Sequence, residues 1–258
     1  FLGQVTKTID PINLSIKMRS GFEDNSKFLK LMNITQKIRP IKLTIHARTK
    51  SQRYRDKSRW DLIHEATLEN DGQVFGSGDI VDRLSFDKCT EKAPYIKGAV
   101  IGRGILRNPW VYKEINTGQK VQINLQILVI CIKIYTRLLK LFIINSDLLF
   151  EIIQDDIFKD SAGSNLELWK KLERSVPSLT ETDDIKINRI IIGRTKMLWN
   201  YLRSSLPEIF WCKKIFRVKT PENFIDAIEN LADRYEKHTN FERITPTYQS
   251  QWDNIYGG

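Results

Sequence analysis

The sequence predicts a parallel α/β fold over its first 115 or so residues, followed by an all-helical region. Three observations predict it. Short strand-patterned runs alternate with helical ones as far as about position 115, joined by short connections. Each predicted strand ends in polar or glycine-rich residues: Lys17-Met-Arg19-Ser-Gly21, His46-Ala-Arg48, Gly76-Ser-Gly-Asp79 and Gly102-Arg-Gly104. After Asn108-Pro109-Trp110 the character changes, and no strand pattern competes with long helical periodicity.

Taken in order, INLSIK (12–17) alternates Ile12, Leu14 and Ile16 with Asn13, Ser15 and Lys17, the period of two of a strand. Residues 24–35 have helical periodicity, with Phe28, Leu29 and Met32 on one side. IKLTIH (41–46) is the next strand, and Trp60, Ile63 and His64 mark the face of the next helix. QVFGSGD (73–79) is a strand that runs into glycines, residues 80–91 are helical, and GAVIGRG (98–104) is a strand ending in a second glycine turn. Only four strands fit. Strands separated by helices run parallel, so their carboxyl ends share one rim, where sites are built. Beyond a boundary near 115, helical patterns occupy about 119–142, 146–158, 164–174, 183–204 and 221–237. In the most apolar of them, INLQILVICIKIYTRLLKLFII, Lys133, Arg137 and Lys140 fall on one face. That spacing predicts an amphipathic helix of a bundle rather than a membrane span.

The chain has 258 residues, 41% hydrophobic and 28% charged, with a net charge of +10. The charge is uneven: residues 1–115 hold 21 Lys and Arg against 13 Asp and Glu, and residues 116–258 hold 20 against 18. A basic balance favours anionic partners such as nucleic acid, phosphates or membrane surfaces. Cys89, Cys131 and Cys212 are odd in number and widely spaced, with no CxxC pair and no zinc spacing. They point to a reducing compartment, the cytoplasm, and to no metal. No signal-peptide pattern is visible. The chain opens on Phe1 inside what reads as the last turns of a helix, so a segment is expected to precede it.

Several groups of residues carry candidate chemistry. Ser77, Gly78 and Asp79, with Gly102 and Arg103, have the features of a phosphate cradle, in which glycines let backbone N–H groups approach an anion. The alternative is two ordinary βα turns. His46, at a strand end, is either a donor to a cofactor or substrate or a satisfied structural histidine. Lys17 either meets an anion or snorkels to solvent. Arg48, Lys50, Arg53, Arg55, Lys57 and Arg59 form a run with Asp56 as its only acid. Such a run either binds phosphates or is a solvated loop. In 186–219, Arg194, Lys196, Arg203, Lys213 and Lys214 belong to a basic stretch interleaved with Trp199, Tyr201, Phe210 and Trp211. It suits either an RNA-facing surface or a bundle core with soluble flanks.

These pieces in this order resemble the tRNA-dihydrouridine synthases. The matching segments are SIKMRSGFED, LTIHARTKSQRY, the following W-D-x-I, FGSGDI, GAVIGRGILRNPWVYKEI and, more loosely, RTKMLWNYLRSSLP. The resemblance covers roughly 12–115 and 186–230, while 145–185 looks like an insertion. It implies that residues 1–115 are the C-terminal half of an FMN-binding TIM (β/α)8 barrel and residues 116–258 a helical tRNA-binding domain. It implies FMN as cofactor and NADPH or NADH as reductant, in reduction of the C5–C6 bond of uridine. Lys17 and His46 would contact the flavin ring. Ser77, Gly78, Asp79, Gly102 and Arg103 would surround FMN. Arg48, Lys50, Arg53, Arg55, Arg59, Arg194, Lys196, Arg203, Lys213 and Lys214 would hold tRNA.

Two departures stand out. Ser77 occupies a position where the family most often has Asn. The family's first four strands, with the Asn-x-Gly-Cys-Pro motif whose cysteine protonates the uracil, are not in this sequence. No catalytic residue is therefore assigned; the proton donor is expected upstream of Phe1, or the missing half on another chain. The expectation is part of such a synthase, inactive alone. The alternatives are a non-catalytic RNA-binding module derived from one and another FMN barrel acting on a small molecule.

Overall fold

A computed structural model describes residues 14–53, 55–70, 73–121, 125–149, 181–206, 210 and 212–236. They fall into two compact units divided after Val121. Position 115 lies inside a helix of the first unit. The helical patterns at 164–174 and most of those at 146–158, with the core of the expected insertion, lie outside the described residues.

The first unit alternates strand and helix: β1 (Ser15–Gly21), α1 (Phe28–Ile38), β2 (Lys42–Thr49), α2 (Trp60–Glu69), β3 (Val74–Ser77), α3 (Arg83–Lys92) and β4 (Gly98–Val100). Two short helices follow, α4 (Gly104–Arg107) and α5 (Val111–Thr117). All four strands are parallel, in the order β1-β2-β3-β4. The fold is α/β, four consecutive β/α units with the order of part of a TIM barrel. β1 extends further than its alternation predicts. Past Lys17, Arg19 pairs with His46 and Gly21 with Thr49, across a register shift between them. β2 likewise continues to Thr49, which puts His46 inside the strand rather than at its mouth.

The helices cover one face of the sheet, and the core lies between. Phe28 and Met32 of α1, Trp60, Ile63 and Ala66 of α2 and Cys89 of α3 bury against Leu43, Ile45 and Val74 of the strands. α3 begins with a reciprocal cap: Ser85 N–H donates to the Asp82 carboxylate at 2.8 Å, and the Ser85 hydroxyl accepts from Asp82 N–H at 3.0 Å. Asn108, of the NPW segment, donates to the Val81 carbonyl at 2.9 Å and to buried Glu114 at 2.7 Å. Glu114 in turn accepts from Val121 N–H at 2.9 Å. The segment therefore tethers the loop after β3 to the end of the unit.

The second unit contains α6 (Leu125–Ile144), α7 (Glu181–Leu202) and α8 (Pro221–Glu236). Lys133 reaches Glu229 of α8 at 2.7 Å, and Lys140 reaches Asp184 of α7 at 2.8 Å. The basic face of α6 thus binds its bundle neighbours, while Leu128, Val129 and Ile132 are buried. Among the described residues no helix is long and apolar enough to cross a membrane. None of their His, Cys, Asp and Glu side chains group to hold a metal ion.

Candidate functional site

The carboxyl ends of the four strands enclose a cleft of about 440 Å³. β1 contributes Lys17, Met18 and Arg19, and β2 contributes His46 and Arg48. The β3 end contributes Ser77, Gly78 and Asp79, and the β4 end contributes Gly102, Arg103 and Gly104. Five cations line it, counting Arg107, against one carboxylate, Asp79. This distribution follows from parallel pairing: Arg19, His46 and Ser77 are register partners across three strands, so their side chains reach one level of the rim.

His46 is at the centre. Its Nε2 is buried and has no hydrogen-bond partner. Burial, joined by the charges of Arg19, Arg48 and Arg103 and only partly offset by Asp79, pulls its pKa down to about 4. The ring is therefore neutral at pH 7. Gly78 beside it has φ +128°, a backbone conformation that side chains resist, and an added Cβ would lie 2.9 Å from Ser58. At Gly102 an added Cβ would meet nothing within 4 Å, so the backbone there faces open space in the cleft.

Arg48, expected to meet RNA, is instead a structural pivot. Its side chain is 2% exposed and pairs with the Asp79 carboxylate. Its Nε donates to the Asp56 carbonyl at 2.5 Å. Asp79, at φ 58°, also accepts from the Ser58 N–H at 2.8 Å and hydroxyl at 2.7 Å. Burial works to raise its pKa, but Arg48 and Ser58 outweigh burial and lower it. The basic loop is thereby stitched to the end of β3. Ser58 and Arg19 escaped the sequence reading; only Arg19's place at a strand end hinted at it.

The remaining predicted RNA contacts divide. Lys50, Arg53 and Arg55 are exposed. Arg59 is exposed but forks onto Asp61 at 2.5 to 3.0 Å. In the second unit Arg194, Lys213 and Lys214 are exposed. Lys196 is not available: its ammonium donates to the Phe216 carbonyl at 2.8 Å and the Val218 carbonyl at 2.5 Å. Arg203 is buried, bonded to Asn200 at 2.8 Å and stacked 4.7 Å over Phe216. Trp199, Tyr201 and Phe210 are buried in the bundle, which makes them core rather than an RNA surface; Trp211 lies outside the described residues. Lys196 thus satisfies carbonyls of the irregular chain after α7, and Arg203 packs on its Phe216 ring.

Parallel β/α units ending in a cationic, glycine-lined cleft define the class: an α/β protein whose candidate site lies at the strand carboxyl ends. A model of the dihydrouridine synthase family matches residues 1–146, and the chain belongs to that family. A protein from Arabidopsis thaliana named as tRNA-dihydrouridine(47) synthase, NAD(P)(+)-like, is 30% identical over 115 residues, 43% of this chain and 17% of its own length. A probable tRNA-dihydrouridine synthase of Aquifex aeolicus is 29% identical over 48% of this chain and 41% of its own. The tRNA-dihydrouridine(16) synthase of Haemophilus ducreyi is 32% identical over 40% of this chain and 31% of its own. The chain thus spans less than half the length of each of these relatives.

Proposed function

We propose that the first unit is the C-terminal side of an FMN site in an enzyme that reduces the C5–C6 bond of uridine in tRNA, with NAD(P)H as reductant. One observation carries this reading: Lys17, His46, Ser77, Gly78, Asp79, Gly102 and Arg103, the residues the sequence points to for the cofactor, all line one cleft. The cleft's own chemistry fits such a group. The unpartnered His46 Nε2 offers a hydrogen bond, Gly102 leaves room for close backbone approach, and the cations match a phosphate. Gly78, Gly102 and Arg103 would hold the phosphate, and Lys17 and His46 would contact the ring system. When bound, FMN supplies the hydride chemistry. The chain's residues bind and orient it, and neutral His46 keeps one ring nitrogen as donor and the other as acceptor. The buried Arg48–Asp79 pair holds the loop that walls the site. Arg53 and Arg55, with Arg194, Lys213 and Lys214, bind tRNA phosphates, in a cytoplasmic protein.

Titration of the chain with FMN and with riboflavin, followed by flavin fluorescence, tests the assignment. FMN should bind more tightly than riboflavin, because only FMN carries the phosphate. Arg103→Ala should weaken FMN and spare riboflavin, while His46→Ala should weaken both. Equal binding of the two flavins, or variants without effect, would sink the reading.

A further inference from the structure

Phe22 follows directly on β1, three residues past the cleft residue Arg19, and is 63% exposed. A single exposed aromatic is ordinary. This one is unusual in how it is held. Lys50 N–H donates to the Gly21 carbonyl at 2.9 Å, and Ser51 N–H donates to the Phe22 carbonyl at 2.9 Å. The Ser51 hydroxyl adds a bond to the Phe22 carbonyl at 2.6 Å and another to Glu23 at 3.1 Å. These bonds extend the β1–β2 pairing beyond its last partners, Gly21 and Thr49, into both loops. The Lys50 ammonium lies 4.4 Å from the ring centroid. A ring with a cation over one face and most of its area exposed presents its other face to solvent.

We propose that Phe22 and Lys50 form a stacking platform for one unpaired nucleobase of the bound RNA, beside the cleft; this rests on the tRNA reading above. A fixed aromatic with adjoining cations is the combination that binds single-stranded nucleic acid. Arg53, Arg55 and Lys57, all exposed on the same loop as Lys50, supply the phosphate contacts. The acids on the Phe22 turn indicate that a base rather than a phosphate sits there. Asp24 is engaged with Ser26 N–H at 2.9 Å and its hydroxyl at 2.5 Å, and Glu23 is exposed. A negative turn repels phosphate and tolerates an uncharged base. Inside a helix the neighbouring bases cover both faces of each base, so the ligand is an unpaired base drawn out of the stack.

The test is equilibrium binding of the full chain to unmodified tRNA, and to a long RNA duplex whose bases are stacked except at its two ends, over a series of salt concentrations. Phe22→Ala should weaken tRNA binding about 5- to 150-fold, the range of one base–aromatic stack. The slope of log affinity against log salt should not change, because no phosphate contact is lost. Phe22→Trp should restore affinity, and duplex binding should be the same in all three proteins. Because the ring is exposed, the melting temperature should not move. Wild-type tRNA affinity in Phe22→Ala overturns the platform alone, as does equal weakening toward the duplex. No tRNA binding by the wild-type chain overturns the tRNA reading, and the platform with it.

Discussion

His46 is held neutral by its burial and by Arg19, Arg48 and Arg103, so its proton is bound far more weakly in the folded chain than in the unfolded one. A depressed pKa fixes the sign. Between the ordinary value of 6.5 and about 4 the unfolded chain takes up a proton that the folded chain refuses. Stability is therefore intact above pH 6.5 and is lost as pH falls through that window. The shift corresponds to at most about 3 kcal/mol, less whatever solvent screening removes. Urea unfolding at pH 7 and pH 4.5 should show His46→Gln losing less stability between the two than the wild type. Identical losses would mean that His46 does not titrate as its surroundings dictate. At this scale the sequence was legible where chemistry sits on the backbone pattern. Lys17, His46 and Gly78 reach the cleft because strand alternation and parallel ends send them there. It was not legible where a side chain is claimed by distant partners. Nothing in the run Arg48 to Arg59 distinguishes buried Arg48 from exposed Arg53; that depends on Asp79, 31 residues away.

At the level of elements, β3 is closely covered by α2. The Trp60 ring of α2 packs against Gly76 of β3, and its Nε1 donates to the Gly78 carbonyl at 3.0 Å. A Cβ at Gly76 would lie 2.2 Å from that ring, closer than any real contact. Gly76→Ala must therefore push Trp60 outward, stretching the bond that fixes Gly78. Overpacking of this kind costs about 1–3 kcal/mol. Thermal unfolding should show a lowered midpoint, and FMN affinity should fall with it. An unchanged midpoint would mean that α2 yields freely. The glycine in FGSGD thus has two separate jobs at 76 and 78, a distinction invisible in the string. The elements themselves were more legible. Alternation and helical periodicity located the four strands and α1 to α3 of the first unit, with ends displaced by pairing that only the neighbouring strand determines, but not the short helices α4 and α5, too brief to show a period. In the second unit, periodicity located α6, α7 and α8 but not which of their residues are buried. An aromatic at helical spacing reads the same for core and for RNA, and burial of Trp199 and Phe210 resolves it toward core.

On the scale of the whole molecule, four strands are the limiting fact. Among the described residues β1 and β4 each have one neighbour, so the sheet ends in two edges where a barrel has none. Among the described residues the cleft is lined by these four strand ends and the turns that follow them. A flavin bound there would be gripped through part of its surface, and retention should be weak. Proton delivery is the second deficit. Among the described residues no cysteine lines the cleft. Cys89 is buried in the core, its pKa pushed up to about 12, first by burial and then by Asp79. Cys131 and Cys212 belong to the second unit. The resemblance puts the acid in an Asn-x-Gly-Cys-Pro motif that this sequence lacks. Loss of general acid catalysis typically costs about 10²- to 10⁴-fold in rate. We therefore expect the 258-residue chain by itself to give no dihydrouridine above background. The purified chain would be incubated with FMN, NADPH and unmodified tRNA, and the digested nucleosides weighed by mass spectrometry. A protein supplying the other strands and the cysteine motif should restore product when added. Multiple-turnover product from the chain alone would show that four strands suffice, and that the acid comes from a group already in this cleft.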